Sequence, residues 1–342
     1  MTPSRPSGVD RRRAAAMLAA GAVVTGCAVV RPARPVLVNL AEPSAVEGDQ
    51  AQLGAGADLA RRMTVPVRVD GQGPYPFVVD TGANRSVLAA ELAAELGLPS
   101  VGEAEVHGIA GVEPAPIALV QRLSVGDIAL RRLRAPLLPR ARLGADGLLG
   151  VDALKDRRVR LDFRENRLIV GSRRGFDLEL GTTTSRARPE ALDSEIVVPA
   201  RFRFGQLIII DADVGGRPVT CFLDSGSQNT VGNLALRREL EGVAPRFMAQ
   251  REVVHLVSAT GQTASGESAP LPGLRLGGLR IGNLSAVFAD LHVFRIWDLL
   301  DAPAILLGVD VMRHFSSIDL DFSRKRVIFR TPRAKLQTIA EP

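Results

Sequence analysis

Two short motifs in this chain place an aspartate at the end of an apolar run. Asp80-Thr81-Gly82 follows Phe77-Val78-Val79, and Asp224-Ser225-Gly226 follows Cys221-Phe222-Leu223. Two carboxyl groups held in contact cannot both ionise easily, so such a pair keeps one proton between them. One group can then act as a base while the other acts as an acid. The pair could therefore activate a water molecule for hydrolysis without a metal ion or a covalent nucleophile.

The sequence around these motifs repeats in the same order, which indicates two copies of one folding unit. Residues 67–71 and 212–216 each read as a strand that enters a tight turn before the apolar strand leading to Asp. Downstream, Leu148-Leu149-Gly150 corresponds to Leu306-Leu307-Gly308. The two copies are offset by 144 residues at the Asp and by more at the downstream Gly, so the second copy has extra residues around 258–273. Loops absorb such insertions at little cost.

The paired motifs resemble those of the retropepsin-like aspartic proteases, in the bacterial form that carries two lobes in one chain. The resemblance covers about residues 63–331. It implies an all-β, mainly antiparallel fold with two β-barrel lobes, a short helix in each, and a pseudo-two-fold relation between them. The only tyrosine, Tyr75, precedes Asp80, so the flap tyrosine of the larger pepsin-like proteases is missing.

The resemblance implies that Asp80 and Asp224 form one catalytic dyad at the lobe interface. It also implies that the rest of each turn supports them. The hydroxyl groups would hydrogen-bond across the seam, and the glycines would let the backbone lie close to the carboxyl groups. These supporting residues are Thr81, Gly82, Ser225 and Gly226.

A hairpin is expected between the Asp and the Leu-Leu-Gly segment of each copy. Segments 106–112 and 256–263 both contain glycine among apolar residues, which is typical of a hairpin tip. Such hairpins would cover a bound peptide and add strand-like hydrogen bonds to it. Plain surface hairpins fit the same pattern. The flap candidates are Gly108, Ile109, Gly111, Thr260 and Gly261.

The expected function is an aspartic endopeptidase that acts on polypeptides as a monomer with two pseudo-symmetric lobes and needs no cofactor. One alternative is a non-catalytic peptide-binding envelope protein on the same scaffold. Another is pairing of lobes between two molecules.

Composition argues against two other classes of protein. The four histidines, at 107, 255, 292 and 314, show no metal-ligand spacing, so no metal site is expected. The net charge of +6 comes mainly from scattered arginines, with lysine only at 155, 325 and 335. Aromatic residues make up 4% of the chain, which leaves little for base stacking, so no nucleic-acid partner is expected.

The N-terminus predicts export. Three arginines at 11–13 precede an apolar run at 14–26, which is too short to span a bilayer and fits a signal peptide. The arginines resemble a twin-arginine signal, with a Sec signal as the alternative. Val24-Thr25-Gly26-Cys27 resembles a lipoprotein cleavage site with Cys27 as the lipidated residue, although an ordinary signal peptide also fits. Ala28 then favours the outer membrane, so a periplasmic, lipid-anchored protein is expected.

Linker-like composition completes the predicted organisation. Residues after position 27 are rich in Pro, Ala and Gly, and residues after position 172 include three consecutive threonines. Cys221 precedes Asp224 on an apolar strand and is expected to be a small core residue. The predicted segments are a signal peptide at 1–27, a tether at 28–62, lobe 1 at 63–172, a linker at 173–194, lobe 2 at 195–332 and a tail at 333–342.

Overall fold

A computed structural model describes residues 45–47, 50–58, 60–171, 193–203 and 205–332. The predicted signal peptide with Cys27, the first part of the tether, nearly all of the linker and the tail lie outside the described residues. In the part of the chain that is described, no helix is both long and apolar enough to cross a bilayer.

The described part of lobe 1 consists mostly of strands. Its strands are β1 (Ala45–Glu47), β2 (Gln50–Gly54), β3 (Gly56–Ala57), β4 (Met63–Val69), β5 (Gln72–Val79), β6 (Val87–Ala89), β7 (Ser100–His107), β8 (Val112–Val125), β9 (Ile128–Leu138), β10 (Gly147–Leu149), β11 (Arg158–Asp162) and β12 (Arg167–Gly171). Its helices are α1 (Ala90–Glu95), α2 (Arg140–Leu143) and α3 (Val151–Leu154).

The described part of lobe 2 follows a similar order. Its strands are β13 (Asp193–Arg203), β14 (Gln206–Ile209), β15 (Ala212–Val214), β16 (Arg217–Pro218), β17 (Thr220–Leu223), β18 (Val231–Gly232), β19 (Glu252–Val257), β20 (Thr263–Pro270), β21 (Leu274–Leu276), β22 (Leu279–Ile281), β23 (Ser285–Phe288), β24 (Ala304–Leu307), β25 (Ser317–Asp321) and β26 (Arg326–Pro332). Its helices are α4 (Leu234–Val243), α5 (Pro245–Met248), α6 (His292–Ile296) and α7 (Val309–Met312).

Lobe 1 is a closed barrel. Its strands pair in the order β9-β6-β10-β5-β4-β8, and β8 pairs with β9 to complete the ring. Side chains alternate along a strand: in β4, Val65, Val67 and Val69 are buried, whereas Pro66 and Arg68 are exposed. The barrel therefore encloses an apolar core, and the expected all-β, two-lobe fold is confirmed.

Lobe 2 repeats the central arrangement of lobe 1. In lobe 1, β10 lies between β5, which is parallel to it, and β6, which is antiparallel. In lobe 2, β24 lies in the same way between β17 and β18. Strands β15, β16, β21 and β22 form a separate small sheet. The repeat seen in the sequence is therefore a structural repeat around the strands that carry the Asp and Leu-Leu-Gly motifs.

One antiparallel sheet joins the two lobes. It runs β13-β26-β25-β11-β12-β2, and β11 of lobe 1 pairs directly with β25 of lobe 2. Asp319, fully buried on β25, lies between three guanidinium groups: Nη2 of Arg158 at 2.5 Å, Nε of Arg160 at 2.8 Å and Nη1 of Arg330 at 2.9 Å. Because a buried charge needs close partners, this cluster fixes the register of the joining sheet.

The predicted tether is wrong for residues 45–47 and 50–57, where the chain forms strands. In this segment β1 pairs with β9, β2 pairs with β12, and β3 pairs with β4. The edges of both sheets present unpaired backbone groups, and an extended segment satisfies them by adding a strand. Its small residues, which favoured a flexible linker, are compatible with this edge position.

Candidate active site

The two Asp motifs stand at equivalent strand ends. Asp80 follows β5, and its amide donates a hydrogen bond to the carbonyl of Leu149 on the parallel strand β10 at 3.0 Å. Asp224 follows β17, and its amide donates to the carbonyl of Leu307 on β24 at 2.9 Å. The Leu-Leu segments therefore hold both Asp residues at the seam between the lobes.

The two carboxyl groups meet across that seam, each resting on a glycine of the other lobe. A Cβ atom built on Gly82 would lie 2.4 Å from Cγ of Asp224. A Cβ atom built on Gly226 would lie 2.3 Å from Cγ of Asp80. Neither position can carry a side chain without displacing the opposite carboxyl group, which explains why the motif requires glycine there.

Backbone amides orient each carboxyl group. The amides of Gly82 and Ala83 both donate to Oδ1 of Asp80 at 2.9 Å. In lobe 2, Oδ1 of Asp224 accepts hydrogen bonds from the next two amides of its own loop, at 2.9 and 3.1 Å. One oxygen of each group is thus occupied by its own loop, which leaves the other oxygen for the neighbouring carboxyl group or a ligand.

The hydroxyl hydrogen bonds implied by the resemblance are present. Oγ1 of Thr81 donates to the carbonyl of Leu223 at 2.9 Å and accepts from the amide of Ser225 at 3.0 Å. Oγ of Ser225 donates to the carbonyl of Val79 at 2.7 Å and accepts from the amide of Thr81 at 3.1 Å. Both side chains are buried, so these four bonds lock the two Asp loops together.

Burial and mutual repulsion shift the protonation of the pair. Burial raises the pKa of Asp224 well above its usual value, and the adjacent Asp80 charge raises it further. Burial also raises the pKa of Asp80, but the Gly82 amide and the Arg62 guanidinium oppose that rise. The pair therefore retains a proton at a pH where separate aspartates would both be ionised.

A second carboxylate supports each loop from behind, a role the sequence analysis did not identify. In lobe 1, Oγ of Ser86 donates to Oδ1 of Asp152 at 2.7 Å and accepts from the Gly150 amide at 3.1 Å. In lobe 2, Oγ1 of Thr230 donates to Oδ1 of Asp310 at 2.9 Å. Burial raises the pKa of Asp152, while hydrogen bonds from Ser86 oppose the rise. The signal was available, because an Asp follows Leu-Leu-Gly-Val in both copies.

Arg62 and Gln206 also reach the loops and were not identified from the sequence. Nη1 of Arg62 donates to the carbonyl of Gly226 at 3.2 Å. Nε2 of Gln206 donates to the carbonyl of Gly82. Arg62 lies at the end of the predicted tether, next to the strand pattern of β4, and no motif marks it.

Hairpins lie where the sequence predicts them, and their tips meet over the site. Strands β7 and β8 form the first hairpin, and β19 and β20 form the second. Nε2 of Gln262 donates to the carbonyl of Val112 at 3.1 Å. A Cβ atom on Gly108 would lie 2.2 Å from Oγ of Ser258, and one on Gly111 would lie 2.8 Å from Cγ of Gln262. The predicted glycines thus permit a close contact between the tips.

The other flap candidates also take part in contacts near the tips. Thr260 is buried, and its Oγ1 lies 2.8 Å from Oγ of Ser258. Gly261 has a φ of +83° and lies against Arg142 of lobe 1, where a Cβ atom would be 2.6 Å from Cζ of that side chain. The carbonyl of Ile109 accepts a hydrogen bond from the Val293 amide of lobe 2 at 3.3 Å.

Two histidines from different lobes meet next to the tip of the first hairpin, where His107 pairs with Val112. Nδ1 of His107 and Nε2 of His292 are 2.9 Å apart, although 185 residues separate them. Burial lowers the pKa of His292, and the neighbouring His107 lowers it further. Among the described residues, no group of three or more His, Cys, Asp and Glu side chains is placed to hold a metal ion.

A cleft of about 610 Å³ lies between the dyad and the hairpins. Both lobes contribute apolar walls to it, together with the polar residues described above. Trp297, one of the wall residues, stacks on Phe222 with 4.2 Å between ring centroids. The apolar wall residues include Val87, Val106, Leu138 and Leu148 of lobe 1 and Val231, Val293, Ile296, Trp297 and Leu306 of lobe 2.

Comparison with known proteins identifies the two repeats. The sequence model of a protein family described as aspartyl protease matches residues 65–153 and 210–311. Each matched region contains one Asp motif and one Leu-Leu-Gly segment, and together they span more than half of the chain. A search of curated proteins finds no match.

Proposed function

Because the chain belongs to the aspartyl protease family, we propose that it is an endopeptidase in which Asp80 and Asp224 jointly activate one water molecule. The observation that carries this proposal is the hydrogen-bonding contact between the two carboxyl groups, each of which lies against a glycine of the opposite lobe. That contact gives a single acid–base pair that opens into a cleft large enough for a peptide.

The pair can complete hydrolysis with one proton exchanged between its members. The ionised carboxylate removes a proton from water while the water oxygen bonds to the carbonyl carbon. The protonated carboxyl group gives its proton to the carbonyl oxygen. The first carboxyl group then delivers the proton it received to the peptide nitrogen as the carbon–nitrogen bond breaks. A hydroxyl proton of the intermediate returns to the second carboxyl group, which restores the starting state.

The cleft favours an extended peptide with apolar side chains near the cleaved bond. Its apolar walls come from both lobes, so side chains on either side of the bond can be desolvated. The edges of the two hairpins can pair with the peptide backbone as added strands. A hydrogen bond between the Gln262 side chain and the Val112 carbonyl joins the tips, and breaking it would let them separate to admit a substrate.

Digestion of a peptide library by the purified protein tests the proposal. The wild type is expected to cleave, and a statine-type inhibitor is expected to block cleavage. Asp80→Asn and Asp224→Asn should each lose cleavage while keeping the wild-type circular dichroism spectrum. Full activity in either variant would contradict a shared dyad. Peptide binding by the wild type without cleavage at any pH would favour the non-catalytic alternative.

The pH dependence follows from the need for one charged and one neutral carboxyl group. Activity should fall at low pH as the carboxylate gains a proton. It should also fall as pH rises through the raised pKa of Asp224, where the acid is lost. Because that pKa is well above the ordinary value, activity is expected to extend above the pH at which a free aspartate is half ionised, about 3.9.

We also propose that the protein is exported and held in the periplasm by a lipid on Cys27, acting as a monomer. The support is the arginine-led apolar segment and the lipoprotein-like sequence before Cys27. Cell fractionation of the wild type and Cys27→Ala tests the anchor, since only the wild type should sediment with membranes. Light scattering of an active sample tests the monomer, and an active dimer would instead favour pairing of lobes between chains.

A further inference from the structure

Arg62 and Gln206 occupy equivalent positions in the two lobes. They are separated by 144 residues, the same spacing that separates Asp80 from Asp224. Each follows a residue in the left-handed backbone region, with φ of 59° at Arg61 and 82° at Gly205. Each then donates a hydrogen bond across the seam to the loop glycine of the other lobe. The pair is therefore part of the pseudo-symmetric frame of the dyad.

The chemistry of the two positions differs. Arg62 bears a permanent charge. Its Nη2 donates to the carbonyl of Leu143 at 2.5 Å, and its Nε donates to Asp58 at 2.7 Å. Its side chain is 13% exposed. Gln206 is 2% exposed and offers only a neutral amide. The frame that holds the dyad is thus geometrically symmetric and electrically asymmetric.

The charged and the neutral side chain lie beside different carboxyl groups. Asp80 rests on Gly226, the residue whose carbonyl Arg62 contacts, so the cation stands beside Asp80. Asp224 rests on Gly82, whose carbonyl is held by the uncharged Gln206. A nearby positive charge favours the ionised form of a carboxyl group, whereas a neutral amide does so far less.

Other charged groups near the two carboxyl groups do not cancel this difference in charge between Asp80 and Asp224. Asp58, 3% exposed, pairs with Arg62 and offsets part of its charge. Arg142 lines the cleft but is paired with Glu113 at 2.9 Å near the hairpin contact. The remaining titratable side chains that line the cleft lie in the hairpins or behind the lobe 1 loop, and they are Arg85, Glu105, His107 and His255.

We propose that Arg62 is a positioning residue that assigns the roles within the dyad. It holds Asp80 as the carboxylate that takes the proton from water, and it leaves Asp224 as the acid that protonates the carbonyl oxygen. Asp80 then returns its proton to the leaving nitrogen, and Asp224 recovers a proton from the intermediate. This inference rests on the proposed peptidase function and adds to it which carboxyl group acts as the base and which as the acid.

Arg62→Gln tests the assignment, because it places the same residue type at both equivalent positions. The acid limb of the profile of kcat/KM against pH should move upward by about one pH unit, the low end for loss of a neighbouring opposite charge, since Asp58 already offsets part of it. Arg62→Lys keeps the charge and should leave the limb near its wild-type position. A merely structural role would lower activity in both variants without moving the limb.

A titration followed by NMR measures the order in which the two carboxyl groups ionise, and it does not depend on enzymatic activity. The ¹³Cγ signals of Asp80 and Asp224 can be assigned by their loss in the Asn variants. In the wild type, Asp80 should ionise at the lower pH, and Arg62→Gln should move its titration upward. Should Arg62→Gln fail to fold, Gln206→Arg adds the cation on the other side and should lower the pH at which Asp224 ionises.

Three outcomes distinguish failure of this role assignment from failure of the proposed peptidase function. Ionisation of Asp224 before Asp80 in the wild type would overturn the assignment. So would an unchanged acid limb in a folded Arg62→Gln variant. A wild type that cleaves no peptide would refute the proposed function, and the titration would still show whether Arg62 directs the proton.

Discussion

Replacing Thr81 with valine should uncouple the two Asp loops while preserving shape. Valine matches threonine closely in volume, and the site is 3% exposed, so packing changes little. The hydroxyl group is lost, however, and with it the hydrogen bonds to the Leu223 carbonyl at 2.9 Å and from the Ser225 amide at 3.0 Å. The perturbation therefore isolates the polar part of the lobe–lobe contact.

The magnitude follows from the two backbone groups left behind. A buried donor or acceptor without a partner costs about 1–3 kcal/mol. Two such groups, one at Leu223 and one at Ser225, lower the free energy of unfolding by roughly 2–6 kcal/mol. Activity should fall more steeply, because a misplacement of about 1 Å between reacting groups costs on the order of 100-fold in rate.

Urea unfolding at equilibrium measures the stability term, and peptide cleavage measures the catalytic one. Thr81→Ser is the matched control: it keeps Oγ and removes one methyl group, for a loss of about 1 kcal/mol. Ser225→Ala removes the pseudo-symmetric pair of bonds, to Val79 and from Thr81, and should resemble Thr81→Val. The m-value should stay constant across the series if only stability changes.

A Thr81→Val variant that is no less stable than Thr81→Ser would refute the reasoning. It would mean that the Leu223 carbonyl and the Ser225 amide, which lose their partner, form hydrogen bonds with water or other groups at no cost in free energy. Full cleavage activity in a destabilised Thr81→Val variant would separate the two effects, and would show that the hydroxyl bonds do not align the dyad.

Three further predictions concern other positions. Gly226→Ala puts a Cβ atom 2.3 Å from Cγ of Asp80 and should reduce kcat/KM by about 100-fold or more, whereas Gly242→Ala, with no atom within 4 Å, should leave cleavage intact. Asp319→Asn should lower the free energy of unfolding by roughly 3–5 kcal/mol in urea at pH 7, because three buried arginines each lose an ion pair with this carboxylate. Burial opposes ionisation of Asp319, but those arginines outweigh the effect of burial and lower the pKa of Asp319. The extra stability of the wild type over Asp319→Asn should therefore be fully present above the ordinary aspartate pKa of about 3.9, and it should shrink as pH falls toward the lowered pKa. Burial raises the pKa of Cys221, so iodoacetamide at pH 8 should modify this thiol only after unfolding, as mass spectrometry can show; modification in the folded protein would indicate that its strand opens.

The sequence alone was enough to find the paired Asp motifs and the repeat. Asp80 and Asp224 each sit in a contiguous motif, and the residues that define the motif act on neighbours one or two positions away. Strand patterns and turn glycines are also local, so the two-lobe β architecture and both hairpins could be predicted from them. Such local features can be predicted from the sequence because the backbone itself fixes the distances between residues that are neighbours along the chain.

The strands at 45–57 were missed because pairing along a sheet edge leaves little mark on composition. β2 contributes to the sheet that joins the lobes, yet its small polar and apolar residues resemble a linker. Whether such a segment is a strand depends on an unsatisfied edge elsewhere in the fold, which no window of sequence contains.

Only the tertiary structure decided which side chains distant in the sequence come into contact. Arg62 contacts a carbonyl 164 residues away, and His107 contacts a ring 185 residues away. Asp319 gathers its three arginines through the register of three strands. These contacts depend on how the two lobes pack together, and that packing is a property of whole surfaces. The sequence therefore determined that two carboxyl groups would share a site, whereas the packing of the lobes determined which charge lies beside each of them.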